Sequence, residues 1–252
     1  MSDSTTPARN WFEQGGQAYA RFRPEYPAEL AQFLASISPG TGLAVDVGCG
    51  NGQLTSHLAT HFDQVMGLDP SADQIAHASQ HPRIEYGCAP AELLPVADHS
   101  ADLVTAAQAA HWFDLPRFYD EVRRIAVPHA VLALISYGVL RLDEALDSRF
   151  AQFYWQEIGP YWPAERKLVD TGYADLPFPF DKQAAPVLEI RKSWTLGELL
   201  GYISTWSAVR SVLEAGREDI LQRFASDLTQ LWGSPERRRE VRWPIDMRLG
   251  KL

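Results

Sequence analysis

The chain has 252 residues, of which 46% are hydrophobic and 22% charged, with a net charge of −9; this suits one large domain, or one domain plus a cap. An acidic chain without a basic stripe excludes a phosphate-gripping surface, so no nucleic-acid partner is expected, and the three arginines between Glu236 and Glu240 read as a solvated face. Cys49 and Cys88 lack any C-x-x-C neighbour, which argues against a disulfide framework or zinc site, and no metal is expected.

Residues 1–10 are polar and carry an acid, so they read as a disordered tail, not a signal peptide. No apolar run reaches membrane-spanning length, and the expected location is cytoplasmic with no membrane partner. Residues 11–37 read as a helical region broken by Pro24 and Pro27. Residues 43–47 form an apolar strand, and Leu54, Leu58 and Phe62 mark a helix at i, i+4, i+8. A strand over 64–68 ends at Asp69, and Ser71 caps a helix running to about Gln80. Strands follow at 84–86 and 102–107. Asp114 and Pro116 then open a helix striped with Phe118, Val122 and Ile125 and closed by Pro128. The fifth strand covers 131–137. Such alternation predicts a parallel sheet with helices on both faces.

The character changes after about Gly138, and six of the eight tryptophans lie beyond residue 150. Residues 142–158 read as a helix and 187–194 as a strand. Thr195 and Glu198 form a capping box for a helix through Trp206. A further helix carries Ile220, Phe224, Leu228 and Leu231 and stops at Gly233. Residues 241–249 alternate with period two, so 187–194 and 241–249 are expected to finish the sheet as an antiparallel edge, with the helices between them as a cap.

The most informative stretch is L-A-V-D-V-G-C-G-N-G-Q at residues 43–53. A buried strand ends in Asp46, and Gly48, Gly50 and Gly52 let the chain turn sharply and let a ligand lie on the main chain. An acid at the strand end suits a cation and repels a phosphate. This points away from a dinucleotide and towards a nucleoside carrying an amino acid, such as S-adenosylmethionine (SAM). Asp69, 19 residues after Gly50, stands where an acid accepts hydrogen bonds from ribose hydroxyls. Ala89 to Glu92 follow the third strand, where an adenine edge would sit. The dinucleotide fingerprint also needs a small residue where this chain has Gln53.

Those pieces, together with Y-A-R-F-R-P-E-Y-P (19–27), G-L-D-P-S (67–71), A-E-L-L-P (91–95), A-A-Q-A-A-H-W-F-D (106–114), W-S-A (206–208) and W-P-I (243–245), carry a family resemblance over nearly the whole chain. The chain resembles class I SAM-dependent methyltransferases, and more narrowly the branch related to trans-aconitate and cantharidin methyltransferases, which methylate carboxylates on small molecules. The resemblance implies a Rossmann-like, seven-stranded, mostly parallel sheet with an antiparallel edge and a helical cap. Residues 11–252 would form a single domain: a lid over 11–40, a SAM-binding core over 41–138, and a substrate cap with the final edge strands over 139–252. It implies that Asp46 and the backbone of Gly48, Cys49 and Gly50 hold the methionine part of SAM. Asp69, followed by Pro70, would take the ribose, and Ala91 and Glu92 would border the adenine. Gln108 and Ala109 would lie beside the methionine, with His111 and Trp112 at the reacting centre. Tyr19, Arg23 and Tyr26 would fold over the cofactor, Arg23 pairing with its carboxylate. The family's Pro-Gly-Gly turn reads Pro128-His129-Ala130 here, a departure expected to be structural only.

The expected activity is methyl transfer from SAM to an oxygen, foremost a carboxylate, of a small organic molecule. A carboxylate nucleophile needs no base, whereas a hydroxyl or amine does, and His111 is the histidine in a mouth position. Whether His111 serves as a base or simply packs beside Trp112 stays open. Tyr137, Tyr161, Trp162 and Trp206 are candidates to line a substrate pocket, core packing being the other reading. Arg166 is a candidate anchor for an anionic substrate, as are Arg210 and Arg248, with a surface charge as the alternative. A non-catalytic SAM-binding regulator and a nicotinamide oxidoreductase are the rival functions, and Gln53 argues against the second. The sequence leaves the oligomeric state open.

Overall fold

A computed structural model describes residues 24–252. Tyr19, Arg23, the expected tail and the start of the first helical region lie outside the described residues. Two compact units are formed. One comprises Glu25–Val139, Glu165–Ile190 and Trp243–Leu252, and the other, among the described residues, is built from Leu140–Ala164 and Arg191–Arg242.

The first unit follows the expected alternation: α1 (Ala28–Ile37), β1 (Leu43–Val47), α2 (Gln53–Leu58), β2 (Gln64–Asp69), α3 (Ala72–Ala76), β3 (Ile84–Cys88), β4 (Ala101–Ala107), a 3-10 turn (Ala110–Trp112), α4 (Leu115–Ile125), β5 (Ala126–Tyr137), α6 (Arg166–Asp170) and β6 (Asp181–Gln183). Between them the chain forms α5 (Glu144–Gln152). After β6 come β7 (Leu188–Trp194), α7 (Leu196–Ser204), α8 (Ser207–Glu214), α9 (Glu218–Trp232) and β8 (Arg239–Lys251). The sheet order is β3-β2-β1-β4-β5-β8-β6, with β7 also pairing with β8. The first five strands are parallel, and β8 runs antiparallel to β5, from Val131↔Lys251 to Tyr137↔Ile245. The fold is thus Rossmann-like. Strand order reverses between β1 and β4, and the crevice beyond their carboxyl ends is the place such sheets offer to a ligand.

Both faces of the central strands β1, β4 and β5 are covered, which explains their apolar runs. Ala44, Val45 and Val47 of β1, Leu103, Val104 and Ala106 of β4 and residues 130–135 of β5 are buried. Helix α4 buries Leu115, Phe118, Tyr119, Val122 and Ile125, and truncating Phe118 to Ala would cost about 3–5 kcal/mol. Arg124 on its flank donates to the carbonyls of Leu94 and Val96 and pairs with Glu121 and Asp98, tying the segment after β3 to the helix.

Several expected boundaries shift. The sheet gains an eighth strand, β6, whose three exposed polar residues give no periodic signal. Helix α4 ends at Ile125, and β5 starts at Ala126, with an irregular register between the Ala101 and Leu103 pairings. His129 takes φ +68 within this irregularity, a left-handed conformation that glycine adopts without strain. In the second unit, α5 begins only at Glu144 and passes into a π turn at Phe153–Glu157, so Leu142 precedes the helix. The Thr195 capping box is present, and α7 stops at Ser204 with Trp206 at the N-cap of α8. On α9 the buried stripe ends in Trp232, while Leu231 is exposed. Phe153 stacks on Phe224 at 3.7 Å in this unit's core. Among the described residues, no helix is long and apolar enough to cross a membrane.

Candidate functional site

The turn after β1 is tied to β2 by the amides of Gly48 and Cys49, which donate to the Leu68 carbonyl at 2.7 and 3.0 Å. Gly48 and Gly50 have φ of +69° and +56°. A Cβ on Gly48 would fall 2.4 Å from the Ala109 Cβ, so the turn and the segment after β4 touch directly. A Cβ on Gly50 would meet nothing nearer than Gln74 Oε1 at 3.8 Å, an ordinary contact, so a small group has room there. Asp69 closes the far side of the turn. Its two oxygens accept from the amides of Gly50 and Ser71, each at 2.9 Å. A carboxylate has about four lone-pair sites, which leaves acceptor capacity for a diol.

Asp46 is buried, and the hydroxyls of Thr55 and Thr105 each donate to one of its oxygens at 2.7 Å. Burial pushes its carboxyl up to about 6, the two hydroxyls hold it down, and the negative charge of Asp69 adds to the rise. Burial also drives the Cys49 thiol far above its ordinary range, with both aspartates adding to the effect. Asp46, Asp69 and the glycine turn therefore share one electrostatic neighbourhood. Thr105 stands opposite Asp46 in the β1–β4 register, and a threonine inside that apolar run was the signal for its role.

Gln108 adopts φ +56°, its amide nitrogen donates to the Tyr137 carbonyl at 3.0 Å, and Tyr26 packs edge-on to Tyr137 at 6.0 Å. Gln108, Tyr26 and Tyr137 are thus gathered at one place. His111 lies in the 3-10 turn with Trp112, which is exposed. His111 Nδ1 is 2.9 Å from the Tyr173 hydroxyl. Burial and the Arg166 cation push His111 down to about 4, against a smaller opposing effect of Glu165, so the imidazole is neutral at pH 7. Tyr173 was not singled out in the sequence. It is buried, burial pushes its phenol up, and it follows Gly172 in a second consecutive left-handed conformation, φ +61°. Such a conformation costs a bulky residue roughly 1–3 kcal/mol and needs support. Arg248 supplies it: one guanidinium nitrogen lies 2.6–2.9 Å from the carbonyls of Tyr173, Ala174 and Leu176. Arg248 thereby clamps this turn through one of its guanidinium nitrogens. Arg166 pairs with Asp170 at 2.9 Å.

Ala91 is buried, Glu92 accepts from the Asp114 amide at 2.8 Å, and Pro70 is exposed beside Asp69. Trp162 and Trp206 belong to the other unit, where they pack at 5.3 Å from each other and against Tyr154. Tyr161, in the same unit, ends a 3-10 turn over Gly159–Tyr161. An open glycine face, an acid with spare acceptors and a buried anionic carboxylate together suit a ligand with a ribose diol and a positive charge, and suit a pyrophosphate badly.

Comparison with known proteins agrees with that chemistry. The family described as methyltransferase domain matches residues 45–134. A methyltransferase candidate of Dictyostelium discoideum is 34% identical over 242 residues, covering 93% of this chain and 92% of its own length. A solved structure of a candidate type II methyltransferase from Anaeromyxobacter dehalogenans is 44% identical, with a TM-score of 0.87 over 91% of this chain and 98% of that one. The malonyl-[acyl-carrier protein] O-methyltransferase of Pectobacterium atrosepticum is 34% identical over 136 residues, 53% of this chain and 54% of that protein. The chain belongs to the class I SAM-dependent methyltransferases. It is a transferase whose cofactor is SAM, and nothing supports a nicotinamide oxidoreductase or a non-catalytic SAM-binding protein.

Proposed function

We propose that this methyltransferase esterifies a carboxylate of a small organic molecule, as in the trans-aconitate branch it resembles, within a single domain over residues 11–252. Bound SAM supplies an electrophilic methyl on a sulfonium, whose thioether is an excellent leaving group. Asp46 and the Gly48, Cys49 and Gly50 backbone hold its charged methionine end, Asp69 and Pro70 its ribose, and Ala91 and Glu92 its adenine. Gln108 and Ala109 flank the methionine, with Tyr19, Arg23 and Tyr26 as the cover. His111 and Trp112 border the acceptor, and Tyr137, Arg166, Tyr161, Trp162 and Trp206 are the candidates for substrate contact.

One observation carries the choice of acceptor. Among the described residues, the groups expected at these strand ends are committed to other partners or have a low proton affinity. Asp46 accepts from two threonines and serves the charged end of the cofactor, Asp69 holds two amides, and His111 is held down to about 4. A carboxylate is already ionised and needs only alignment, which can supply roughly 7–11 kcal/mol in favourable intramolecular cases. The O-methyltransferase name of the Pectobacterium relative supports oxygen as the acceptor atom.

The test is a panel of small mono- and dicarboxylic acids incubated with the purified chain and methyl-tritiated SAM. The expected product loses its label as volatile methanol after mild alkali, the mark of a methyl ester. Label stable to alkali would overturn the carboxylate reading. Calorimetry with S-adenosylhomocysteine tests the cofactor residues separately: Asp69→Ala should weaken binding at least roughly tenfold, and equal affinity would remove Asp69 from the ribose.

A further inference from the structure

The His111–Tyr173 contact has a direction that the burial of the phenol fixes. Tyr173 is completely buried, and among the described residues its hydroxyl has one hydrogen-bond partner, His111 Nδ1. A phenol has one proton, and a buried O–H left without an acceptor would cost about 1–3 kcal/mol, so that proton goes to Nδ1, 2.9 Å away. Nδ1 then accepts, and the hydrogen of a neutral imidazole resides on Nε2. The phenol is held in place by the Arg248 clamp on the Tyr173, Ala174 and Leu176 carbonyls. The charged groups acting on the imidazole are Arg166 and Glu165, at the start of α6.

We propose that Tyr173 is a positioning residue that holds His111 in its Nε2–H tautomer, making His111 a hydrogen-bond donor to one carboxylate oxygen of the methyl acceptor and not a proton acceptor. This rests on the carboxylate reading above. The acceptor's other oxygen would take the methyl that bound SAM supplies. In that transfer an O–CH3 bond would form as the S–CH3 bond breaks with its electron pair left on sulfur, and no proton would move, so a base would have nothing to do. The donor binds and orients the acid, while the threonine-held Asp46 and amide-held Asp69 stay with the cofactor.

The experiment is long-range proton–nitrogen NMR on the full chain labelled with 15N-histidine. The chain has seven histidines, and His111→Gln assigns the relevant pair of signals. The expected result is a protonated Nε2 and an unprotonated Nδ1 for His111, unchanged from pH 8 down to 5.5. In Tyr173→Phe the imidazole should begin to titrate nearer its ordinary value and show a share of the Nδ1–H form. A protonated Nδ1 in the parent, or identical His111 signals in the parent and Tyr173→Phe, would overturn the proposal. These signals need neither cofactor nor acid, so they are read even where the alkali assay fails. Kinetics give the second readout. His111→Gln keeps an N–H donor but no base, and should retain about tenfold more kcat/KM than His111→Leu. Tyr173→Phe should raise KM for the acid by about three- to tenfold with kcat little changed, whereas a general loss of site structure would lower kcat as well. A His111→Gln variant as inactive as His111→Leu would remove the donor role.

Discussion

Asp46→Asn offers the sharpest test of the electrostatics. The wild-type carboxyl is fully buried and raised from 3.8 to about 6. A group whose folded pKa lies above its unfolded value binds its proton more tightly in the folded state. The fold is therefore penalised where the group must ionise: in full above about pH 6, less as pH falls, and not at all below 3.8. The rise corresponds to about 3 kcal/mol at pH 8. Asparagine keeps the shape, and the Thr55 and Thr105 hydroxyls can turn to meet an amide as well as a carboxylate. The variant should be more stable than the parent by about 1–3 kcal/mol at pH 8, a rise in Tm of roughly 3–8 °C, and the gain should shrink to about half by pH 5. Calorimetry at pH 8 should show the opposite for function, with S-adenosylmethionine binding lost as the charge is lost. The assay is a pair of thermal melts at pH 8 and pH 5 beside that titration. An Asp46→Asn protein that melts below the parent at pH 8, or a gain equal at both pH values, would refute the claim that a strained charge is kept for the ligand.

Gly48→Ala and Gly50→Ala should separate fold from binding. The first drives a Cβ to 2.4 Å from Ala109 and should cost at least about 2 kcal/mol by urea denaturation. The second meets only the left-handed strain of about 1–2 kcal/mol, yet should lose S-adenosylhomocysteine affinity because its methyl enters the open cradle. At pH 8 an aromatic disulfide reagent should label exposed Cys88 quickly and Cys49 only after denaturation, since burial and two carboxylates suppress its thiolate; fast labelling in Cys88→Ser would contradict this. His129→Gly should raise the urea midpoint by the equivalent of about 0.5–1 kcal/mol at unchanged slope, because glycine relieves the positive φ in β5. No gain would mean that the imidazole makes a compensating contact there.

The central parallel strands were legible because a sheet covered on both faces leaves unbroken apolar runs, and the glycine turn between two aspartates was legible because a sharp strand-to-helix turn needs glycines at fixed spacing. Ser71 and Thr195 announced their helices through local hydrogen bonds, and both caps are present. What stayed hidden depends on distance along the chain. Thr105 meets Asp46 across 59 residues and Tyr173 meets His111 across 62, and no periodicity encodes such a meeting. Arg248 looked like any strand arginine until the Tyr173 turn was seen folded onto it. Helix α6 is five residues and β6 three, too short to print a period.

Strand β8 lies between β5 and β6 in the sheet although it follows both in the chain. Until residues 245–251 emerge from the ribosome, β5 presents a bare edge whose residues 130–135 are all apolar. Nascent chains of this protein therefore carry a sticky ribbon for the whole time the intervening helices are being made, a period in which edge-to-edge association competes with correct closure. Recombinant yield should improve when translation is slowed or a chaperone that shields extended apolar segments is supplied.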